Sequence, residues 1–132
     1  MRSLLIALLF LFFFAGNSHA TTNNDSLLTG TWKGTSICQV KPSACNDEIA
    51  VYHFTKGPIP NTYHVVANKI VNGVEEDMAL SDFTFNPADN SLFCYIEKYK
   101  VSIKFTVKGN SMEGTLTSGD KLYRIIKLTK AG

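Results

Sequence analysis

Two histidines are the first residues whose type and spacing could support chemistry. His53 and His64 flank the break Gly57-Pro58-Ile59-Pro60, and in a symmetric hairpin they would lie opposite each other. Paired imidazoles on neighbouring strands could begin a zinc site. The aromatic residues that alternate with them take the inward face, however, so both imidazoles point outward, and the sequence offers no third ligand. We therefore predict surface histidines and no metal.

Three cysteines are the next candidates. Cys38 and Cys45 flank a turn centred on Lys-Pro-Ser, and a disulfide between them would close the first hairpin loop. The alternative, Cys38 with Cys94, would join distant strands and leave Cys45 exposed. We favour the first pairing and predict that Cys94, in an apolar strand, is a buried thiol. A catalytic cysteine is disfavoured because no neighbour in the sequence would lower the pKa of Cys94.

The acidic residues suggest no catalytic site. The run Glu75-Glu76-Asp77 follows a turn, and Glu76 would face Lys69 on the neighbouring strand, so a solvated face is favoured over a calcium site. Asp82 could point inward and orient a ligand, or lie in a β-bulge and face water. The chain has no nucleophile elbow, Ser/His/Asp spacing or phosphate loop. We predict a protein that is not an enzyme and needs no cofactor.

The amino terminus has the layout of a signal peptide. Arg2 precedes an apolar run over residues 4–15, and Ser18 and Ala20 are the small residues of a cleavage site after Ala20. The apolar run is shorter than the roughly 20 residues that span a bilayer. We predict a signal peptide over residues 1–20, a secreted or periplasmic location, and no stable membrane anchor.

The remaining chain fits one small domain with no bias toward nucleic acid. Without Arg2 of the signal peptide, twelve basic and eleven acidic side chains nearly balance, and the basic ones are scattered singly, so no basic patch for nucleic acid is present. The length allows a single core. We predict a flexible segment over residues 21–29 and a barrel domain over residues 30–132, expected to be a monomer.

The pattern of alternation and turns predicts eight β-strands. They cover residues 30–38, 48–56, 62–71, 74–85, 92–97, 100–108, 111–117 and 121–129. Turn residues separate them, most clearly Asn72-Gly73, which favours a type I′ hairpin turn. No helical stretch intervenes, and an open sheet of this length would leave two unprotected edges. We therefore predict an all-β fold, a single eight-stranded antiparallel up-and-down barrel.

One inconsistency appears in the fourth strand. Counting outward from the Asn72-Gly73 turn pairs Ala67 with Met78 and Val65 with Leu80. In this register Met78 and Leu80 both point inward. The phenylalanines that follow have the opposite parity. We predict a β-bulge near Ser81-Asp82 that restores the inward face.

Gly30-Thr31-Trp32 at the start of the first strand, with Arg124 in the last, resembles a motif of the calycin superfamily, which contains lipocalins, fatty-acid-binding proteins and avidins. The resemblance implies a lipocalin-like barrel whose base is closed by Trp32. It also implies that Arg124 packs across the indole in a cation–π contact.

Three functions fit such a barrel. The first is a carrier of a small hydrophobic or aromatic molecule, which a cavity above ~300 Å³ would support. Its predicted lining is aromatic and methionine-rich: Tyr52, Phe54, Tyr63, Met78, Phe105, Met112 and Tyr123. The second is a secreted inhibitor of a hydrolase (a protease or lysozyme), because the barrel also resembles small bacterial inhibitors; residues 21–29 or the Cys38–Cys45 loop would make the contact. The third is a non-catalytic envelope module with a filled barrel.

Overall fold

The computed structural model describes residues 24–40 and 45–132, so the predicted signal peptide lies outside the described residues. One helix and eight strands make up the fold: α1 Asn24–Leu28, β1 Gly30–Cys38, β2 Glu48–Lys56, β3 Thr62–Val71, β4 Val74–Asn86, β5 Ser91–Ile96, β6 Val101–Lys108, β7 Ser111–Ser118 and β8 Lys121–Lys130. The eight predicted strands are confirmed, each to within one residue at either end.

The strands form a closed antiparallel up-and-down barrel, as predicted. Each pairs with its neighbour in the chain, and β8 pairs with β1. Residues 39–40 and 45–47 and the connections at residues 72–73, 97–100 and 119–120 lie at one end, called the open end below. The opposite end, called the closed end, carries α1. At the β3–β4 turn Asn72 and Gly73 both have positive φ, 52° and 79°, and Lys69 pairs with Glu76 as predicted.

The half of the barrel next to the closed end is filled by aromatic rings. Trp32 and Phe54 meet edge to face with centroids 6.4 Å apart. Phe54 and Phe83 are 6.0 Å apart, as are Phe83 and Phe105. These separations lie in the range that favours aromatic pairs. All four side chains are essentially inaccessible to solvent, so this half of the interior has no room for a ligand.

Helix α1 packs across the closed end. Leu28 is fully buried, and the Trp32 Nε1–H donates a hydrogen bond to the Leu28 carbonyl at 2.9 Å. The Lys130 ammonium donates to two further carbonyls of the helix, both at 2.7 Å, where a cation is favoured by the helix dipole. The sequence pattern assigns residues 21–29 to a flexible segment. Residues 24–28 instead form α1. The barrel buries the Leu28 side chain and supplies the donors for the carbonyls of the helix.

The predicted contact between Trp32 and Arg124 is wrong. The cation near the indole is Lys130, 5.9 Å from its ring centroid. Arg124 pairs with Cys38, six positions along β1 from Trp32 and about 20 Å away at strand spacing. The tryptophan therefore belongs to the closed end, whereas the arginine belongs to the open end.

Asp25 connects α1 to the barrel through two side chains. Its carboxylate accepts a hydrogen bond from the Tyr63 hydroxyl at 2.5 Å and lies 2.7 Å from the Lys56 ammonium. Lys56 first, and Tyr63 second, lower the pKa of the Asp25 carboxyl below its ordinary value of 3.8. Both contacts favour the charged carboxylate, so they link the docking of α1 to pH.

We expect the variant Asp25→Asn to isolate this pH dependence. Because the folded-state pKa is lowered, the stabilisation is complete above 3.8 and disappears as the pH falls through the lower folded-state value. Urea denaturation at several pH values between about 6 and 2.5 measures it. Wild type should be more stable than the variant near neutrality, and the difference should shrink at acidic pH. A constant difference across that range would contradict the assignment.

The β-bulge lies closer to the turn than predicted. The register between β3 and β4 shifts between Ala67 and Asn68, which pair with Ala79 and Asp77, so Met78 is the extra residue. The predictions of a bulge near Ser81-Asp82 and of an Ala67–Met78 pair are therefore wrong. The displaced bulge turns two small side chains, Ala79 and Ser81, toward the barrel interior.

Strands β4 and β5 pair over only a short stretch. The ladder joins Thr84 with Phe93, Phe85 with Leu92 and Asn86 with Ser91, all toward the closed end. In the described ladders, residues 74–83 of β4 and 94–96 of β5 have no partner across this boundary. We call this boundary the β4–β5 slot. It is the place where the barrel wall is weakest.

Candidate ligand-binding cavity

A cavity of about 360 Å³ occupies the half of the barrel next to the open end. Its lining is mostly apolar, with four polar or charged side chains from β1, β2 and β8. The lining residues are Ser36, Glu48, Tyr52, Ala67, Met78, Ala79, Ser81, Phe83, Ile96, Tyr99, Val101, Ile103, Leu116 and Arg124. The space exists because β3 and β4 present Ala67, Ala79 and Ser81 here, whereas the same strands present aromatic rings toward the closed end.

Tyr52 contributes an unused hydrogen-bond donor to this cavity. The side chain is only 4% exposed, and its ring meets Phe105 edge to face with centroids 6.1 Å apart. No described residue forms a hydrogen bond with its hydroxyl. Burial, followed by the nearby Glu48 carboxylate, raises the pKa of Tyr52 above its ordinary value, so the group remains a neutral phenol. The phenol therefore lines the cavity as a neutral donor, available to a ligand oxygen.

Arg124 supplies further donors from β8. Its Nη1 donates to the Asn46 carbonyl at 3.0 Å and to Ser36 at the hydroxyl and the carbonyl, 3.2 Å and 3.3 Å away. The same nitrogen lies 3.6 Å from a carboxylate oxygen of Glu48. Each of these contacts uses Nη1. Among the described residues, Nη2 and Nε have no partner, so a held guanidinium retains donors for a ligand.

Two basic side chains flank Glu48 beside the cavity. The carboxylate lies 3.7 Å from the Lys69 ammonium on one side and 3.6 Å from Arg124 on the other. The register places Lys69 opposite Ala50, on the inward face of β3. Two cations and one anion therefore share this part of the barrel, which favours an anionic or oxygen-rich ligand group.

The predicted lining residues are divided between the two halves. Tyr52 and Met78 line the cavity, whereas Phe54, Tyr63, Phe105 and Met112 are buried away from it. Tyr123 also lies outside the lining. The β7–β8 register shifts beside it, and the Lys121 ammonium lies 5.4 Å from its ring centroid. Arg124, predicted to be structural at the base, lines the cavity instead.

Some of the cavity-lining residues that the sequence analysis missed could have been identified from the sequence, and others could not. Ser36 and Glu48 share the inward parity of Trp32 and Tyr52 on their strands, so alternation alone could have identified them. Ala79 and Ser81 could not be found in this way, because the position of the bulge determines which face they take.

The two histidines each contact a carboxylate on the outside of the barrel. His64 pairs with Thr55 across the hairpin, so it does not face His53. His53 Nε2 lies 2.8 Å from Glu75, and His64 Nδ1 lies 3.0 Å from Asp82. The alternative of an inward Asp82 is therefore wrong. Within residues 24–40 and 45–132 there is no group of three potential metal ligands.

A disulfide joins Cys38 and Cys45 at the open end, as predicted. Residues 41–44 of the enclosed loop lie outside the described residues. Cys94 is a free, buried thiol, and burial raises its pKa above the ordinary value. The disulfide therefore attaches the β1–β2 loop next to Arg124, which pairs with Cys38.

Comparison of the chain with protein-family models, curated proteins and solved structures finds no match. In the described part of the chain, no helix is long and apolar enough to cross a membrane.

Proposed function

We propose that this protein is a non-catalytic binding protein that holds a small carboxylate with an apolar body in the cavity at the open end. The observation that carries the proposal is Tyr52, whose side chain is 4% exposed and lines the cavity and whose hydroxyl has no partner among the described residues. Such a hydroxyl can donate to a ligand without giving up a hydrogen bond of the free protein.

The head group follows from the donors. The free nitrogens of Arg124 and the neutral phenol of Tyr52 both donate, and a carboxylate can accept from both. The Arg124 guanidinium in the lining, with Lys69 on the other side of Glu48, favours the same group. A carboxylate is therefore a better fit than an amine or a quaternary ammonium.

The body of the ligand follows from the rest of the lining. Away from Arg124 the wall is mostly aliphatic, sulfur-containing and aromatic, with Met78, Ile103 and Phe83 among its side chains. A volume of about 360 Å³ is within the usual range for small-molecule sites. Short aliphatic and small aromatic carboxylates match both size and polarity.

The other two functions are less well supported. An inhibitor acting through residues 21–29 would need a segment free to enter a target, but Leu28 is buried in the barrel and Asp25 is bonded to it. An envelope module with a filled barrel does not account for the cavity. A secreted or periplasmic location agrees with the Cys38–Cys45 disulfide, because disulfides persist in oxidising compartments.

A pair of Tyr→Phe variants tests the proposal. Titration calorimetry with octanoate and 2-naphthoate should show binding to wild type, weakened about 10-fold in Tyr52→Phe by the lost hydrogen bond. Because this hydroxyl has no partner in the free protein, the free energy of unfolding should not fall. Tyr63→Phe is the matched control, since its hydroxyl donates to Asp25 at the closed end. It should be less stable but bind with wild-type affinity.

The outcomes separate a binding role from a structural one. If neither carboxylate binds wild type, the proposed function is wrong. If Tyr52→Phe binds both probes as tightly as wild type, the assignment of Tyr52 is wrong.

A further inference from the structure

A second space adjoins the cavity on the other side of the barrel wall. On the outside lies a groove of about 390 Å³, which we call the outer groove. Its lining residues are Val66, Asp77, Met78, Ala79, Leu80, Ile96, Lys98 and Tyr99. Met78, Ala79, Ile96 and Tyr99 also line the cavity. These shared residues belong to β4, the end of β5 and the β5–β6 turn, so only the side chains at the β4–β5 slot separate the two spaces.

The cause of this opening is local to β4 and β5. The bulge at Met78 shifts the register of β4, and β5 ends at Ile96, so the ladder between them stops after Thr84–Phe93. The side chain that β4 places at the opening is Ala79, which is small, and Met78 beside it is flexible. Neither the backbone ladder nor a bulky side chain closes the wall here.

The outer groove has exposed apolar walls. Leu80 is 67% exposed and Tyr99 is 55% exposed, and they come from opposite sides of the slot. Single exposed apolar residues are ordinary, but two that border one groove beside an apolar cavity form a larger apolar surface. Lys98 stands at the rim of the groove. The surface suits an alkyl chain more than a polar group.

We infer that the apolar chain of the ligand leaves the cavity sideways through the β4–β5 slot and lies in the outer groove. The inference rests on the proposed function, because it places the carboxylate at Arg124 and Tyr52. It extends the ligand class from small carboxylates to single-chain amphiphiles longer than the cavity.

A chain-length series tests this path. Hexanoate, decanoate and tetradecanoate, each below its micelle concentration, are titrated into wild type, Leu80→Asp and Ile59→Asp. In wild type the affinity should rise about fourfold for each added methylene up to tetradecanoate. Leu80→Asp should bind hexanoate normally but tetradecanoate at least 10-fold more weakly. Ile59→Asp is the matched control, 64% exposed at the closed end, and should behave as wild type.

The possible results distinguish the two proposals. If hexanoate and decanoate bind but tetradecanoate gains nothing, or Leu80→Asp binds all three as wild type does, the lateral path is wrong and the cavity proposal stands. If no carboxylate binds, the proposed function is wrong.

The position of the chain can also be observed directly. In amide NMR spectra, hexanoate should perturb residues around Tyr52 and Arg124, and tetradecanoate should in addition perturb Leu80 and Tyr99. If the extra perturbations fall on the loops at residues 39–40 and 119–120 instead, the chain leaves through the open end, and the inference is overturned.

Discussion

Replacing Trp32 with alanine should lower the free energy of unfolding by about 3–5 kcal/mol. The indole is fully buried, packs edge to face on Phe54 and bonds the Leu28 carbonyl, so the variant loses packing and leaves a buried acceptor unpaired. The loss is a large part of the 5–15 kcal/mol typical of a domain. Urea denaturation should be followed by circular dichroism and not by tryptophan fluorescence, because Trp32 is the only tryptophan and the variant lacks it.

The control for this variant is an aromatic residue at the surface. Tyr99→Ala removes a ring that is about half exposed, and its free energy of unfolding should change by no more than about 0.5 kcal/mol. A loss below about 1 kcal/mol for Trp32→Ala would show that the cap at the closed end contributes little to the stability of the barrel.

Replacing Gly34 with alanine should separate β1 from β8. Gly34 lies opposite Leu128, and a Cβ built there would come closer than 3.0 Å to the carbonyl carbon and oxygen of Lys127. Both are backbone atoms, so no side-chain rotation relieves the clash. We expect a loss of about 3 kcal/mol, at the upper end of the usual cost of overpacking.

The adjacent position provides the control for Gly34. Thr35 points outward and is half-exposed, so Thr35→Ala adds no atom toward β8 and should leave stability nearly unchanged. Thermal denaturation of both variants compares them. Equal midpoints for Gly34→Ala and Thr35→Ala would mean that the two strands can move apart without cost.

The strands were predictable because their ends carry residues with specific backbone requirements. Asn72-Gly73 needs positive φ at both positions, and the structure has it there. Between turns, alternating apolar residues indicate the inward face. The position of the bulge was not predictable. The change of parity along the fourth strand shows that one residue is inserted, but not which one. Ala79 and Ser81, which are small, fit either face, so the pattern could not locate Met78 as that residue.

The same reasoning explains why the lining was predicted only in part. Large aromatic residues were taken as pocket walls, but Phe54 and Phe105 fill the interior instead of surrounding a space. The space lies where inward side chains are small. Arg124 was placed at Trp32 by resemblance, although counting along β1 and β8 places the two at opposite ends.

The division of the barrel into a packed half and a hollow half has a consequence for how the protein can evolve. Buried rings such as Trp32 and Phe54 hold the fold together, and neither lines the cavity. At Ala67, Ala79 and Ser81 a larger side chain has empty volume to occupy, so a substitution can reshape the cavity without overpacking the core. Specificity can therefore diverge among descendants of this chain while the stability of the barrel is retained.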